Sequence, residues 1–142
     1  MPAFYILSLL GTENDLEGVR RTGAARAINR HKWDWRRLSS LLDDPDSVQA
    51  RVFAQLTELI TLRRRQPAFH PDAAQAVPDF GPAIFAVERN CGRQRLLALH
   101  NVTAKPQRLK LPEGHWQELI KGFPLTGNCQ LEPYGIAWLS RA

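Results

Sequence analysis

Cysteine, methionine and long apolar runs are all scarce in this chain, and each scarcity removes a class of protein. The two cysteines, Cys91 and Cys129, stand apart from each other and from any histidine at ligand spacing, so neither a zinc site nor a redox pair is indicated. Two reduced thiols packed as small hydrophobes is the expectation, though the sequence does not say whether they lie close together. Apolar runs such as Phe4 to Leu10 fall far short of the roughly 18 to 20 residues of a spanning helix, and Met1-Pro2 lacks the basic start and cleavage pattern of a signal peptide. A cytoplasmic chain with no membrane partner is expected. Gly11 and Gly23 do not form a dinucleotide or phosphate-loop fingerprint, no serine has a nucleophile context, and there is no repeat or low-complexity segment. No metal and no cofactor is expected.

What is present is ordinary in amount and uneven in placement. The 142 residues, 44% apolar and 23% charged, suffice for one sizeable core or a smaller core with an appendage. The net charge of +5 is concentrated between Arg20 and Arg37, where seven cations (Arg20, Arg21, Arg26, Arg30, Lys32, Arg36, Arg37) face the single acid Asp34. That field favours an anion, and charge alone does not choose between nucleic acid and an inorganic or sugar phosphate.

Residues 11 to 33 combine arginines, amides and glycines without the apolar period of a regular element, the composition of a loop that holds a polar ligand. They follow Ala3-Phe4-Tyr5-Ile6-Leu7, which reads as a strand buried on both faces, and such a strand needs neighbours that the sequence does not contain. Asp43-Asp44-Pro45-Asp46-Ser47 has helix-start chemistry, and Val48, Val52, Phe53, Leu56, Leu59, Ile60 and Leu62 mark a helix over 46–65 that Pro67 stops. From residue 68 the pattern becomes short strands: 74–77, 83–88, 94–101, 107–111, 116–120 and 136–140, with a hairpin at Asn90-Cys91-Gly92-Arg93. The fold expected is therefore α+β, with residues 1–67 as one segment and 68–142 as an antiparallel, sandwich-like sheet domain.

Among candidate functional groups, Arg26 and Arg30 carry the strongest argument, because a guanidinium presents a planar fork of donors that matches phosphate or adjacent sugar hydroxyls. Arg20 and Arg21 read as solvated charges or partners of Glu17. Asn14-Asp15 has two open readings, a ligand contact or a loop-fixing Asx turn. Asp43, Asp44 and Asp46 read as helix-capping acids, His31 as a hydrogen-bonding spacer, and the four tryptophans as packing groups rather than sugar platforms.

The run Pro2 to Gly11, then Asn14-Asp15-Leu16-Glu17, Arg20-Arg21-Thr22-Gly23 and Ile28-Asn29-Arg30-His31, resembles the sucrose phosphorylase group of the α-amylase superfamily, including its glucosylglycerate-phosphorylase-like relatives. Leu62 to His70 is similar to that group's junction between the last barrel helix and the C-terminal β domain. The resemblance implies the C-terminal fragment of a (β/α)8-barrel enzyme that transfers a glucosyl unit with retention, residues 3–8 being the eighth barrel strand, 9 to about 42 the loop over the active-site mouth, and 46–65 the last barrel helix. It implies an α-glucoside acceptor and inorganic phosphate as partners. Arg30 matches an arginine that reaches the acceptor or phosphate subsite, and Asn29, Arg26, Asn14 and Asp15 are candidates beside it. The family's catalytic carboxylates come from earlier barrel strands, so no catalytic residue is assigned here and the isolated chain is expected to be inactive and to self-associate. Two rivals remain: a basic nucleic-acid-binding module, and a purely structural domain that caps a barrel.

Overall fold

The computed structural model describes residues 3–141; Met1, Pro2 and Ala142, which belong to the expected 1–67 and 68–142 segments, lie outside the described residues. The chain divides into two compact units, Met1–Thr61 and Leu62–Ala142.

The first unit holds four helical elements: α1 (Ile6–Leu9), α2 (Leu16–Thr22), a 3-10 segment (Ala25–Asn29) and α3 (Trp35–Asp43). The long helix α4 (Val48–Arg64) begins here and ends in the second unit. The α4 bounds lie within two residues of those expected, and Ser47 starts it: its hydroxyl accepts from the N–H of Ala50 at 3.0 Å. No side chain of α4 is buried, and Val48 stays 57% exposed. Gly11, at φ +56, takes a conformation that strains other residues, and a Cβ there would stand 3.1 Å from a Val52 methyl, which would have to give way.

Residues 3–8 are not the strand expected. Ile6–Leu9 forms one helical turn, closed by Leu9 N–H to Tyr5 O at 3.1 Å and Leu10 N–H to Ile6 O at 3.0 Å. A strand needs a ladder partner for its backbone groups, and with none among the described residues the chain satisfies them locally. Phe4, Tyr5 and Ile6 are correspondingly about half exposed. The segment from 9 to 42, which the resemblance gives as the connection between barrel strand and helix, carries α2, the 3-10 segment and most of α3.

The second unit contains a 3-10 turn (Pro67–Phe69) and one six-stranded antiparallel sheet: β1 (Ala74–Ala76), β2 (Ile84–Cys91), β3 (Gln94–Asn101), β4 (Gln107–Glu118), β5 (Pro124–Leu131) and β6 (Ile136–Arg141), in the order β1-β2-β3-β6-β4-β5. The β2–β3 hairpin turns at Gly92-Arg93, with Gly92 at φ +57 as the tight connection requires. Two expectations are corrected. The runs 107–111 and 116–118 are parts of the single strand β4, which bends at a register shift between Lys110 and His115, and residues 124–131, not among the strands expected, form an edge strand. Pro124 is tolerated because it opens that edge.

The β3 residues Leu96, Leu97, Ala98 and Leu99 are all buried, so the sheet is covered on both faces. One face packs Leu97 and Leu99 with Leu109, Leu111, Trp116 and Leu139; the other packs Leu96 and Ala98 with Ala68, Phe69 and Trp138. At the end of β3 the buried Asn101 donates to the carbonyls of Lys105 at 2.7 Å and Glu132 at 2.8 Å and accepts from Thr103 N–H at 3.0 Å, which joins two loops to the strand. At its start Arg95 meets Glu88 at 2.7 Å.

Truncating Asn101 to Ala leaves these buried partners unpaired, and urea unfolding is expected to show a loss of about 2 kcal/mol or more. The Arg95 hydrogen bond holds the Glu88 carboxyl below its ordinary value, against the upward push of burial. A depressed carboxylate contributes stability above its unfolded pKa of about 4.3 and loses it as pH falls through the folded value. The difference in urea midpoint between the protein and Glu88→Gln is therefore expected to be present at neutral pH and to close below that range.

Candidate functional site

The polar segment is shaped by capping chemistry rather than by apolar burial. Asp15 accepts the Gly18 N–H at 2.6 Å and caps α2, and its own N–H donates to Ile28 O at 2.7 Å, which draws the two ends of the segment together. At the other end Gly23 takes the left-handed conformation, φ +67, and its N–H closes on Val19 O at 2.8 Å. The chain turns at once into the 3-10 segment, so the last turn of α2 faces residues 24–30. Tyr5 fixes the far end by donating its hydroxyl to the Asn29 carbonyl at 2.7 Å.

Two hollows result, both within the first unit. The larger, about 720 Å³, is lined by Asp15, Glu17, Arg21, Arg26, Arg30 and Lys32 among others. The second, about 480 Å³, is lined by Asn14, Asp15, His31, Trp33, Arg37 and Gln49 among others. Asp15, Glu17 and His31 border both. Trp33 is held there by its indole N–H, which donates to Thr12 Oγ1 at 2.9 Å, and by the edge contact of His31 at 4.7 Å between ring centroids.

Of the residues singled out from sequence, Arg26, Arg30 and Asp15 share the larger hollow and Asn14 the second, while Asn29 enters the fold through its backbone carbonyl. Both readings of Asp15 now have an observation: it caps a helix and it borders a hollow. Arg21 and Lys32 are additions. Arg21 reads from sequence as a solvated charge, yet the stop at Gly23 is the signal that folds it back beside Arg26. Four cations against Asp15 and Glu17 leave the larger hollow positive, and none of the four forms an ion pair among the described residues. Such an arrangement can hold a phosphate or carboxylate by charge-assisted hydrogen bonds. Among the described residues no group of three His, Cys, Asp or Glu could hold a metal ion, and both cysteines are free thiols. Among the described residues no helix is long and apolar enough to cross a membrane.

This sheet has the architecture of the C-terminal domain of α-amylase-family enzymes. The structure of an Anoxybacillus α-amylase, 14% identical, superposes with a TM-score of 0.62 over 80% of this chain and 25% of that one, a likeness of fold alone. Within that class the chain is homologous to the glucosylglycerate and sucrose phosphorylases over their C-terminal region. Glucosylglycerate phosphorylase of Escherichia coli strain K12 is 33% identical over 141 residues, covering 98% of this chain and 25% of that protein. Sucrose phosphorylase of Agrobacterium vitis is 32% identical over 90 residues, covering 63% of this chain and 17% of that protein. The chain thus spans about a quarter of the length of the glucosylglycerate phosphorylases it matches. A family model described as the C-terminal immunoglobulin-like domain of D-apionate lactonase matches residues 83–139.

The cap assigned to Asp15 gives a direct expectation. Asp15→Ala should cost about 1 kcal/mol and speed amide exchange at Gly18, whereas Asp15→Asn, which keeps an accepting oxygen, should cost only a few tenths. Urea unfolding and hydrogen exchange read both effects.

Proposed function

We propose that this chain is the C-terminal portion of a retaining glucoside phosphorylase or glycosidase that acts on sucrose-like or glucosylglycerate-like α-glucosides in the cytoplasm. In this reading residues 1–67 complete the catalytic domain and 68–142 form a supporting sheet domain. Arg30, with Arg26, Asn29, Asn14 and Asp15, serves the acceptor or phosphate subsite. The observation that carries it is the match to glucosylglycerate phosphorylase across 98% of the chain, which runs through the segment whose arginines converge on one positive hollow. The half-exposed Phe4, Tyr5 and Ile6 support it as well, being apolar groups that suit contact with further protein.

The division of labour follows from chemistry. Retaining transfer needs two carboxylates flanking the scissile bond, and a subsite that only binds an anion does not replace them. The role given to Arg30 is to fix the oxygen that attacks or leaves, which lowers the barrier by positioning rather than by proton transfer. A planar fork does this better than an ammonium, so lysine is a poor substitute.

In the longer protein, Arg30→Ala is expected to raise the KM for phosphate or acceptor about tenfold or more, with Arg30→Lys recovering only part and the thermal midpoint unchanged. A variant that loses stability while keeping its KM for both substrates assigns Arg30 to structure instead. The 142-residue chain alone, incubated with sucrose or glucosylglycerate and phosphate, is expected to release no glucose 1-phosphate above a heat-treated control.

A further inference from the structure

The sheet unit carries a hollow that the phosphorylase reading leaves unused. It measures about 450 Å³ and lies where β4, β5 and β6 come together. Topology creates it. The first half of β4, Gln107 to Lys110, is paired with β5, whereas β4 meets β6 only through Gln117 with Ser140 and Glu118 with Leu139. Ile136 and Ala137 of β6 pair with β3 on one side and with no strand on the other, and the seam left open there reaches down to the buried Cys129 and Leu131.

The floor is chemically specific. Glu118, 2% exposed, is a buried carboxylate that accepts from the backbone N–H groups of Lys121 and, at 3.3 Å, of Trp138. The Cys129 thiol is pushed up by burial first and by Glu118 second, so it stays protonated and unreactive as packing. Above them Phe123, 41% exposed, and Leu125 form an apolar wall. Around the mouth stand Arg108, Lys121 and Asn128, whose side chains make no hydrogen bond or ion pair among the described residues.

Two cations against one carboxylate leave the hollow positive, and that carboxylate is already engaged by two backbone donors. A purely apolar ligand would desolvate the cations without pairing them, which costs free energy. An extended polyanion would gain nothing from a recess with an apolar wall and a buried floor. The lining suits a molecule with an acidic group, several hydroxyls and one ring face of C–H bonds. The geometry points to a binding site in this seam for a small hydroxylated organic anion of sugar-phosphate or sugar-acid type. Arg108 and Lys121 take its acidic group, Asn128 a hydroxyl, and Phe123 its ring face. The site is independent of the polar segment, so its failure and the failure of the phosphorylase reading are separate outcomes.

Isotope-labelled full chain titrated separately with glucose 6-phosphate, glucuronate, glucose and inorganic phosphate, and followed by amide chemical shifts, tests this. Saturable shifts confined to 107–109, 117–131 and 136–137 are expected, with glucose 6-phosphate or glucuronate binding about tenfold or more tighter than glucose or inorganic phosphate. The stronger of the two acids identifies the acidic group. Arg108→Gln with Lys121→Gln should remove about tenfold or more of that affinity, and Phe123→Ala should weaken the sugar arms without touching the phosphate arm. These side chains are on the surface, and unchanged dispersion of the remaining amide signals checks the fold; Lys121→Gln alone serves if the double variant is unstable. Absence of saturation by about 50 mM in every arm, equal response to inorganic phosphate and the sugar acids, or undiminished binding in the charge variants overturns the site.

Discussion

Burial of β3 on both faces is the constraint around which the sheet unit is arranged. Leu96 and Ala98 point one way and Leu97 and Leu99 the other, and all four are shielded from water. A strand in that position must be internal, because an edge would leave one line of its backbone groups unpaired. β6, last in the chain, therefore inserts beside β3, and β4 follows at a distance that only its C-terminal end closes. Each buried leucine is worth about 1.5 to 3 kcal/mol of transfer free energy, far more than any surface ion pair in the molecule. Asn101 then serves as a fastener at the end of this strand, where a buried amide with several partners is costly to disrupt.

The polar segment follows a different rule. Few of its residues are buried, and its shape comes from caps: an aspartate at the start of α2, a left-handed glycine at its end, and a carbonyl held by a tyrosine. Such devices set direction without needing a core, so the arginines on either side of Gly23 can converge on one hollow and remain available to solvent or ligand. The candidate site thus lies where burial is least and local geometry most specified.

How much of this was legible in the sequence depends on whether the signal was local. α4 was, since apolar period, Ser47 and Pro67 all lie within it or beside it. The β2–β3 hairpin was, because Gly92 supplies the positive φ that its turn demands. The alternation of Leu109, Lys110 and Leu111 gave the buried and exposed faces of β4 directly. β5 was not, because Pro124, Gly127 and Asn128 read as turn residues, and only pairing with β4 makes a strand of them. The apolar run at Phe4 to Leu7 misled on both counts, being one helical turn with Phe4, Tyr5 and Ile6 about half exposed, since ladder formation and burial depend on partners that composition does not supply. At the candidate site, the identity of Arg26, Arg30 and Asp15 was readable from charge and position, whereas the recruitment of Arg21 and Lys32 needed the reversal at Gly23.

The sequence by itself determined the class of each region: a basic, polar segment whose charge favours an anion, a long helix, and an antiparallel sheet. These are set by properties that belong to neighbouring residues, namely charge density, apolar period and turn chemistry. Tertiary structure alone decided the strand order, the bend in β4, the seam between β5 and β6, and which cations share a hollow. Those outcomes depend on contacts between residues far apart in the chain, where the free energy comes from burying surfaces against one another rather than from any preference a short stretch carries.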